Sequence, residues 1–457
     1  MVTARNQRLS HSAMGGRLAG WQCIRRTASR EPAMTTLSLE FLQDLLKDDY
    51  PDVIIQEFEG APGSKRGDNY TSMVYRITLR GVRKITEEDG TETEEPWKGS
   101  LIYKCLPESI IRREAFKSDE LFCNEVAFYT KIWPALEKFQ AQWDNVTHPF
   151  KSIPKCYLAQ SDVVILKDLK QMGFVMPDRR QGLTTEQCYF ALKNLSHFHA
   201  LSLAMKCYDP EAFYELLEDG VSEVFFLPEN VDYYKTYYSE ATQNAIALVE
   251  EELKDAEDKE LYLDKLRNFC NLETFFQTMM ELVAPREPLA VICHGDCWTN
   301  NFLFRYADGD IAEMYMVDFQ VARYASPAVD LAYIMYICLE RDQRAEHMAS
   351  LLEYYAEELH RRLVEMSDGT VSGYLDKETL NTMLQEEFKR TSHFGLGIAL
   401  DMYPIMTCDS DEAPNLYQPE ESEEPESHDV MPVTTTNTAC RKKMTDLVRE
   451  LVDAGLL

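Results

Sequence analysis

The stretch from Leu289 to Asp318 constrains this chain more than any other. It opens on an apolar run, Leu289-Ala-Val-Ile-Cys293, with the character of a buried strand. The run ends at His294-Gly295-Asp296, and Asn301 follows five residues after that aspartate. A second strand-like run, Met314 to Val317, delivers Asp318 at its end. His-Gly-Asp alone is most simply a turn, because Gly and Asp both favour turns. Two carboxylates and an amide at strand ends ask for more. Magnesium takes hard oxygen ligands and keeps several waters, so one carboxylate, one amide oxygen and nucleotide phosphates would hold it. The other carboxylate could then accept the proton of an attacking hydroxyl, as in phosphoryl transfer.

A chain of 457 residues buries a substantial core and is expected to form two lobes. Its net charge of −30 argues against nucleic-acid backbone binding, which needs a basic face, and against docking on anionic lipid. The 12 cysteines show no paired C-x-x-C spacing, which fits a reducing, cytoplasmic setting better than a disulfide framework. Cys293 and Cys297 flank His294, but no second pair of ligands accompanies them, so a metal site there is the weaker reading. No apolar run approaches the length of a membrane span. Residues 1–34 carry several Arg before any acid, superficially like a transit peptide. The preferred expectation is a disordered extension with Met34 as the working start.

From Thr35 the character changes. Leu37, Phe41, Leu42, Leu45 and Leu46 recur at helical spacing. Val53 to Phe58 and Asn69 to Leu79 read as strands around a turn-rich loop, Gly60 to Asp68. Residues 84–98 are charged around a central Asp-Gly and predict a solvated hairpin tip. Ser100 to Leu106 alternates like a half-buried strand with Lys104 in its middle. Such a lysine either snorkels from an edge or is paired, since unpaired burial is costly. Glu125 lies beside the apolar face of the helical pattern Phe122 to Tyr129. A strand lysine held by a helix glutamate is the arrangement with which kinases grip α- and β-phosphates. Ile153 to Tyr157 and Val163 to Leu169 read as two further strands.

The remainder is helical. Thr184-Thr-Glu-Gln187 predicts a capping box. His199 shares an apolar face with Leu192, Leu195 and Phe198, and reads as a satisfied core histidine supporting the catalytic loop. Tyr233 to Leu282 predicts long helices. Asp330 is expected to cap the helix that follows it. Asp409 to Asp429 is acidic, contains proline and lacks Lys and Arg, a composition that favours disorder. A last amphipathic helix is predicted over Lys442 to Leu451.

His294-Gly-Asp-Cys-Trp-Thr-Asn-Asn301, Val317-Asp-Phe-Gln320 and Arg323-Tyr-Ala-Ser-Pro-Ala-Val-Asp330 together resemble the ecdysteroid kinase-like family. That family is also described as choline-kinase-like and is related to aminoglycoside phosphotransferases and, more distantly, protein kinases. The resemblance spans roughly residues 69 to 400. It implies an α/β (α+β), two-lobed protein-kinase-like fold. The expected division is a β-rich nucleotide-binding lobe over 35–169, a helical lobe with the catalytic loop over 170–408, an acidic disordered insertion over 409–439 and a terminal helix over 440–457.

The implied activity is ATP-dependent phosphorylation of a hydroxyl on an ecdysteroid-like or xenobiotic alcohol. Asp296 would be the base, and Asn301 and Asp318 would hold Mg²⁺. Lys104, fixed by Glu125, would bind the α- and β-phosphates. Ser72, in Gly67-Asp-Asn-Tyr-Thr-Ser-Met-Val-Tyr-Arg76, would face phosphate. Leu166 would stand at the hinge whose main chain meets adenine, although Lys167 replaces the family's usual Glu. A small-molecule alcohol is thus the expected partner of a monomer. Two alternatives stay open: a choline- or aminoglycoside-type acceptor, and a catalytically silent nucleotide-binding relative.

Overall fold

The computed structural model describes residues 37–64, 69, 71–88, 90–367, 376–409, 435 and 437–457. The expectations for residues 1–34, for Gly67, Asp68 and Tyr70, and for most of the acidic stretch 409–439 lie outside the described residues.

The chain opens with helix α1 (Leu39–Leu46), started by Ser38, whose side chain accepts from Phe41 N. Its buried Leu42 and Leu46 join Val53, Ile55, Ile77 and Leu101 in one apolar cluster against the sheet. Strands β1 (Val53–Pro62), β2 (Met73–Thr86) and β3 (Glu92–Cys105) follow. The charged 84–98 stretch is therefore mostly strand rather than hairpin tip, and only 87–91 form the connection. The antiparallel register runs unbroken through this stretch, with Arg83 opposite Glu95 and Lys84 opposite Glu94, and Arg83 is also paired with Asp52 at 2.9 Å.

Helices α2 (Ile110–Ala115) and α3 (Ser118–Ala127) lead through a π-helical turn, Phe128–Ile132, into α4 (Trp133–Gln140). Strands β4 (Cys156–Gln160) and β5 (Val163–Lys167) complete an antiparallel sheet in the order β1-β2-β3-β5-β4. The fourth strand starts three residues later than the sequence pattern suggests. Pro154 has no N–H to give to a ladder.

The helical part begins with α5 (Thr185–Tyr208), opened by the expected capping box between Thr184 and Gln187. Then come α6 (Pro210–Glu218), α7 (Val231–Glu252), α8 (Lys259–Phe269) and α9 (Phe275–Val283). Short strands β6 (Val291–Cys293), β7 (Phe302–Ala307), β8 (Asp310–Met316) and β9 (Arg323–Ala325) pair as β6 with β9 and β7 with β8. Helix α10 (Pro327–Cys338) is buried along its whole length. It packs against α12 (Lys377–Thr407), and α11 (Arg341–Glu365) and α13 (Thr438–Asp453) complete the helical part. The last helix starts four residues before Lys442, because Asn437 accepts from Ala439 N and Cys440 N and sets the start there. No helix of the described residues is long and apolar enough to cross a membrane.

Packing between α7 and α12 carries one acid. Asp401 accepts from the hydroxyls of Tyr237 (2.7 Å) and Tyr238 (3.4 Å). Crowding by protein pushes its carboxyl up to about 7, against these two bonds. The folded state therefore binds this proton more tightly than the unfolded chain does. Its contribution to stability is complete below about pH 4 and is lost as pH rises through about 7. An Asn keeps an acceptor for the phenols and cannot ionise. Asp401→Asn is expected to melt progressively higher relative to wild type between pH 5 and pH 8. A melting difference that stays constant over that range would refute the assignment.

Candidate active site

Strand β6 runs only to Cys293, and the chain then turns sharply at Gly295. This glycine has φ +85°, and a Cβ there would lie 1.9 Å from the carbonyl oxygen of Val321. The close approach presses the loop after β6 against the segment that follows Asp318. The His294 ring contacts Val317 O at 2.9 Å, and the amides of His294 and Gly295 donate to Asp330 at 2.7 and 2.9 Å. Asp330 does not cap its own helix as expected. Ser326 does, accepting from Ala328 N, and Asp330 sits one turn inside α10 where it braces the loop. His199, fully buried, bridges Asp330 (3.1 Å) and Tyr355 (2.7 Å), the satisfied supporting histidine that the sequence predicts.

The cysteines beside His294 do not converge on it. Cys293 Sγ donates toward the carbonyls of Ala325 and Ser326. Cys293 lies close to His199 and Asp330 instead, in a buried group whose members are all hydrogen-bonded within the protein.

Asp296 is half-buried and held from both sides. Tyr333 donates to Oδ1 at 2.6 Å, and Asn301 Nδ2 donates to Oδ2 at 2.8 Å and to the Asp296 carbonyl at 2.9 Å. Burial, and then the charge of Asp318, push this carboxyl up to about 6, against those two donors and Lys104. Asp318 adopts a left-handed backbone at φ 68°, which costs an L-residue roughly 1–3 kcal/mol and is typical of functional positions. Its Oδ1 meets Lys104 Nζ at 2.8 Å, and the same ammonium meets Glu125 Oε2 at 2.7 Å. Burial opposes the charge on Lys104, yet Asp318 and Glu125 together hold its pKa above the usual lysine value. Burial also raises Glu125, to about 7, with Lys104 pulling it down.

Two supports set this geometry. Phe319 stacks on Phe128 with ring centroids 3.7 Å apart, and the π-helical turn carries Phe128. Asn124, next to Glu125 on α3, donates to the carbonyls of Gln320, Ala322 and Ser222. One helix therefore holds both the lysine and the loop that bears Asp318.

Of the predicted residues, Lys104, Glu125, Asp296, Asn301 and Asp318 come together. Ser72 is buried, and its Oγ accepts from Asn69 at 3.0 Å. The hydroxyl that reaches the Asp318 loop belongs to its neighbour Thr71, which accepts from Gln320 Nε2 at 2.5 Å. Leu166 lies inside the sheet, paired with Ile102 on one side and Cys156 on the other. Its backbone is thus enclosed by ladders, and the segment leaving the sheet begins at Asp168. That residue accepts from Arg76 (2.7 Å), Ser100 (2.5 Å) and Lys170 N (3.0 Å), tying the connection to β2 and β3. Asp168, Asn124, Thr71, Gln320 and Tyr333 were not singled out from sequence. Their partners are remote in the chain, and only Tyr333, one turn beyond Asp330, carries a local hint.

A family model described as the ecdysteroid kinase-like family matches residues 66–367. Comparison with curated proteins gives no match. Among solved structures, an ethanolamine kinase from Plasmodium vivax is 14% identical with a TM-score of 0.38, covering 84% of this chain and 87% of that one. An aminoglycoside phosphotransferase from Alicyclobacillus acidocaldarius is 13% identical with a TM-score of 0.34, covering 95% and 99%. A macrolide 2'-phosphotransferase from Brachybacterium faecium is 12% identical with a TM-score of 0.32, covering 79% and 91%.

Proposed function

The chain belongs to the ecdysteroid kinase-like family, and from that premise we propose that it transfers phosphate from ATP to the hydroxyl of a small-molecule alcohol. The observation that carries this reading is the meeting of Lys104 with both Glu125 and Asp318, in a site whose second carboxylate, Asp296, is raised toward neutrality. The acceptors favoured by family membership are ecdysteroid-like hormones and hydroxylated xenobiotics.

Asp296 takes the proton of the acceptor hydroxyl. The acceptor oxygen forms its bond to the γ-phosphorus as the bond to the β,γ-bridging oxygen breaks, and ADP departs with that electron pair. A carboxyl near 6 suits the task, since it is ionised at neutral pH yet is a stronger base than a free aspartate. Lys104, oriented by Glu125, binds the α- and β-phosphates. The transition state is loose, so positioning and charge neutralisation carry most of the rate. Adenine is met by main chain beyond Leu166, in the segment Asp168 fastens.

The donor set fits Mg²⁺. Asn301 spends its Nδ2 on Asp296, leaving Oδ1 as the oxygen it can offer, and Asp318 supplies a carboxylate. Bound between these residues and the phosphates, the ion would neutralise charge on the β- and γ-oxygens.

Tyr333→Phe removes one donor to Asp296 and nothing from the backbone. Turnover is expected to fall about tenfold to a hundredfold, because Asp296 loses the bond that holds Oδ1 in place, and the melting temperature to fall by a few degrees with it. Steady-state rates equal to wild type would remove Tyr333 from the site's function. The proposal as a whole is tested by incubating the protein with Mg²⁺ and ATP over a panel of ecdysteroids, other sterols, phenolic xenobiotics, choline and aminoglycosides, with phosphorylated products detected by mass. Product from a steroid or xenobiotic alcohol supports the reading. Product only from choline or aminoglycosides would overturn the acceptor class, and no product at all, with ATP still bound, would overturn the transfer and leave a nucleotide-binding relative.

A further inference from the structure

In the loop before β2, the hydroxyl of Thr71 touches the segment that follows Asp318. Gln320 donates to Thr71 Oγ1 at 2.5 Å across 249 positions of sequence. Gln320 is 4% exposed, and its reach is set from behind: its carbonyl accepts from Asn124 at 3.2 Å, and its neighbour Phe319 is stacked on Phe128. On the other side, Thr71 N donates to Asn69 Oδ1, while Asn69 Nδ2 donates to Ser72 Oγ. The loop is thereby fastened to the short helical turn that follows Asp318. Val74, three residues on, stands opposite Lys104 in the ladder.

A hydroxyl that accepts from an amide has its own O–H turned elsewhere. We propose that Gln320 is a positioning residue that latches Thr71 over the nucleotide, so that the Thr71 O–H donates to the terminal phosphate of a nucleoside triphosphate. The inference rests on the kinase reading above and adds to it a residue for the γ-phosphate and the means by which its hydroxyl is aimed. It also accounts for a buried amide whose side-chain donor serves no helix cap, strand or core contact. Gln320 acts only through Thr71, so removing either side of the latch has the same effect.

The test compares Thr71→Val, Thr71→Ser, Gln320→Ala and the double variant Thr71→Val/Gln320→Ala by titration calorimetry with a non-hydrolysable ATP analogue and, separately, ADP. Expected are about tenfold weaker binding of the analogue for Thr71→Val and for Gln320→Ala, and little change for ADP. The double variant should be no weaker than the weaker single one, and Thr71→Ser should stay near wild type. Amide exchange in peptides covering Thr71 to Ile77 should quicken in Gln320→Ala without nucleotide. Wild-type protein that binds the analogue, with Thr71→Val unchanged or the two losses additive, overturns the latch alone. A fall in melting temperature with unchanged affinity also overturns it, as a merely structural bond. Wild-type protein that binds neither nucleotide overturns the kinase reading, and the latch with it.

Discussion

Asp296→Asn is expected to lower turnover by about two to four orders of magnitude, the usual contribution of a positioned base, while nucleotide affinity stays within a few-fold of wild type. The substitution keeps the size of the side chain and one oxygen acceptor for Tyr333 or Asn301. It removes the capacity to take a proton. It also removes a negative charge that burial and Asp318 already oppose, so the fold should not suffer and the melting temperature should hold or rise. Affinity survives because nucleotide binding draws on Lys104, Asp318 and main chain rather than on Asp296. The pairing of lost turnover with retained binding is what marks a group acting in the transition state. A fully active variant would reject Asp296 as the base.

Asp318→Asn has the second large consequence. Nucleotide affinity in wild type should depend on Mg²⁺, and in this variant that dependence should vanish, since a neutral amide is a far poorer ligand for a hard cation. Lys104 would keep Glu125 at 2.7 Å and lose its contact with a charged Asp318. Residual binding should therefore persist through the ammonium, at the same level with and without the metal. Titration of ADP and an ATP analogue in magnesium and in chelator reads this directly. An intact magnesium-dependent gain in affinity would exclude Asp318 as the ligand.

The legible parts of this molecule are those in which chemistry and local sequence coincide. Asp296, Asn301 and Asp318 lie within one stretch; the two aspartates stand just beyond apolar runs that stop abruptly, and Asn301 stands just before one that begins. The Thr184 to Gln187 box is a local signal with a local cause, and it formed as expected. Lys104 and Glu125 were legible as types out of place on an apolar pattern, and their union is a tertiary fact that spacing supports without demanding.

What sequence hid is of another kind. The cap of α10 is Ser326 rather than Asp330, because the aspartate is drawn to two loop amides 35 and 36 positions away. The strands around 84–98 continue in one unbroken register with charges of opposite sign across from each other, a pairing that composition alone disguises as a solvated tip. Ser72, expected to face phosphate, is fully buried and bonded to Asn69, while its half-buried neighbour Thr71 meets Gln320; only the loop's conformation decides between two adjacent hydroxyls. Leu166, expected at the hinge, has its backbone paired with β3 on one side and β4 on the other, a register that the strand pattern alone does not reveal.

The most direct trial of the central claim follows the γ-phosphate itself. Wild type and Asp296→Asn are incubated side by side with Mg²⁺ and ATP labelled in the γ-phosphate, together with a steroid alcohol, and the label is traced after separation. Label is expected on the alcohol in wild type and none above background in the variant, with both proteins binding ATP. Label released only as inorganic phosphate, or equal transfer by both proteins, would contradict transfer with Asp296 as base.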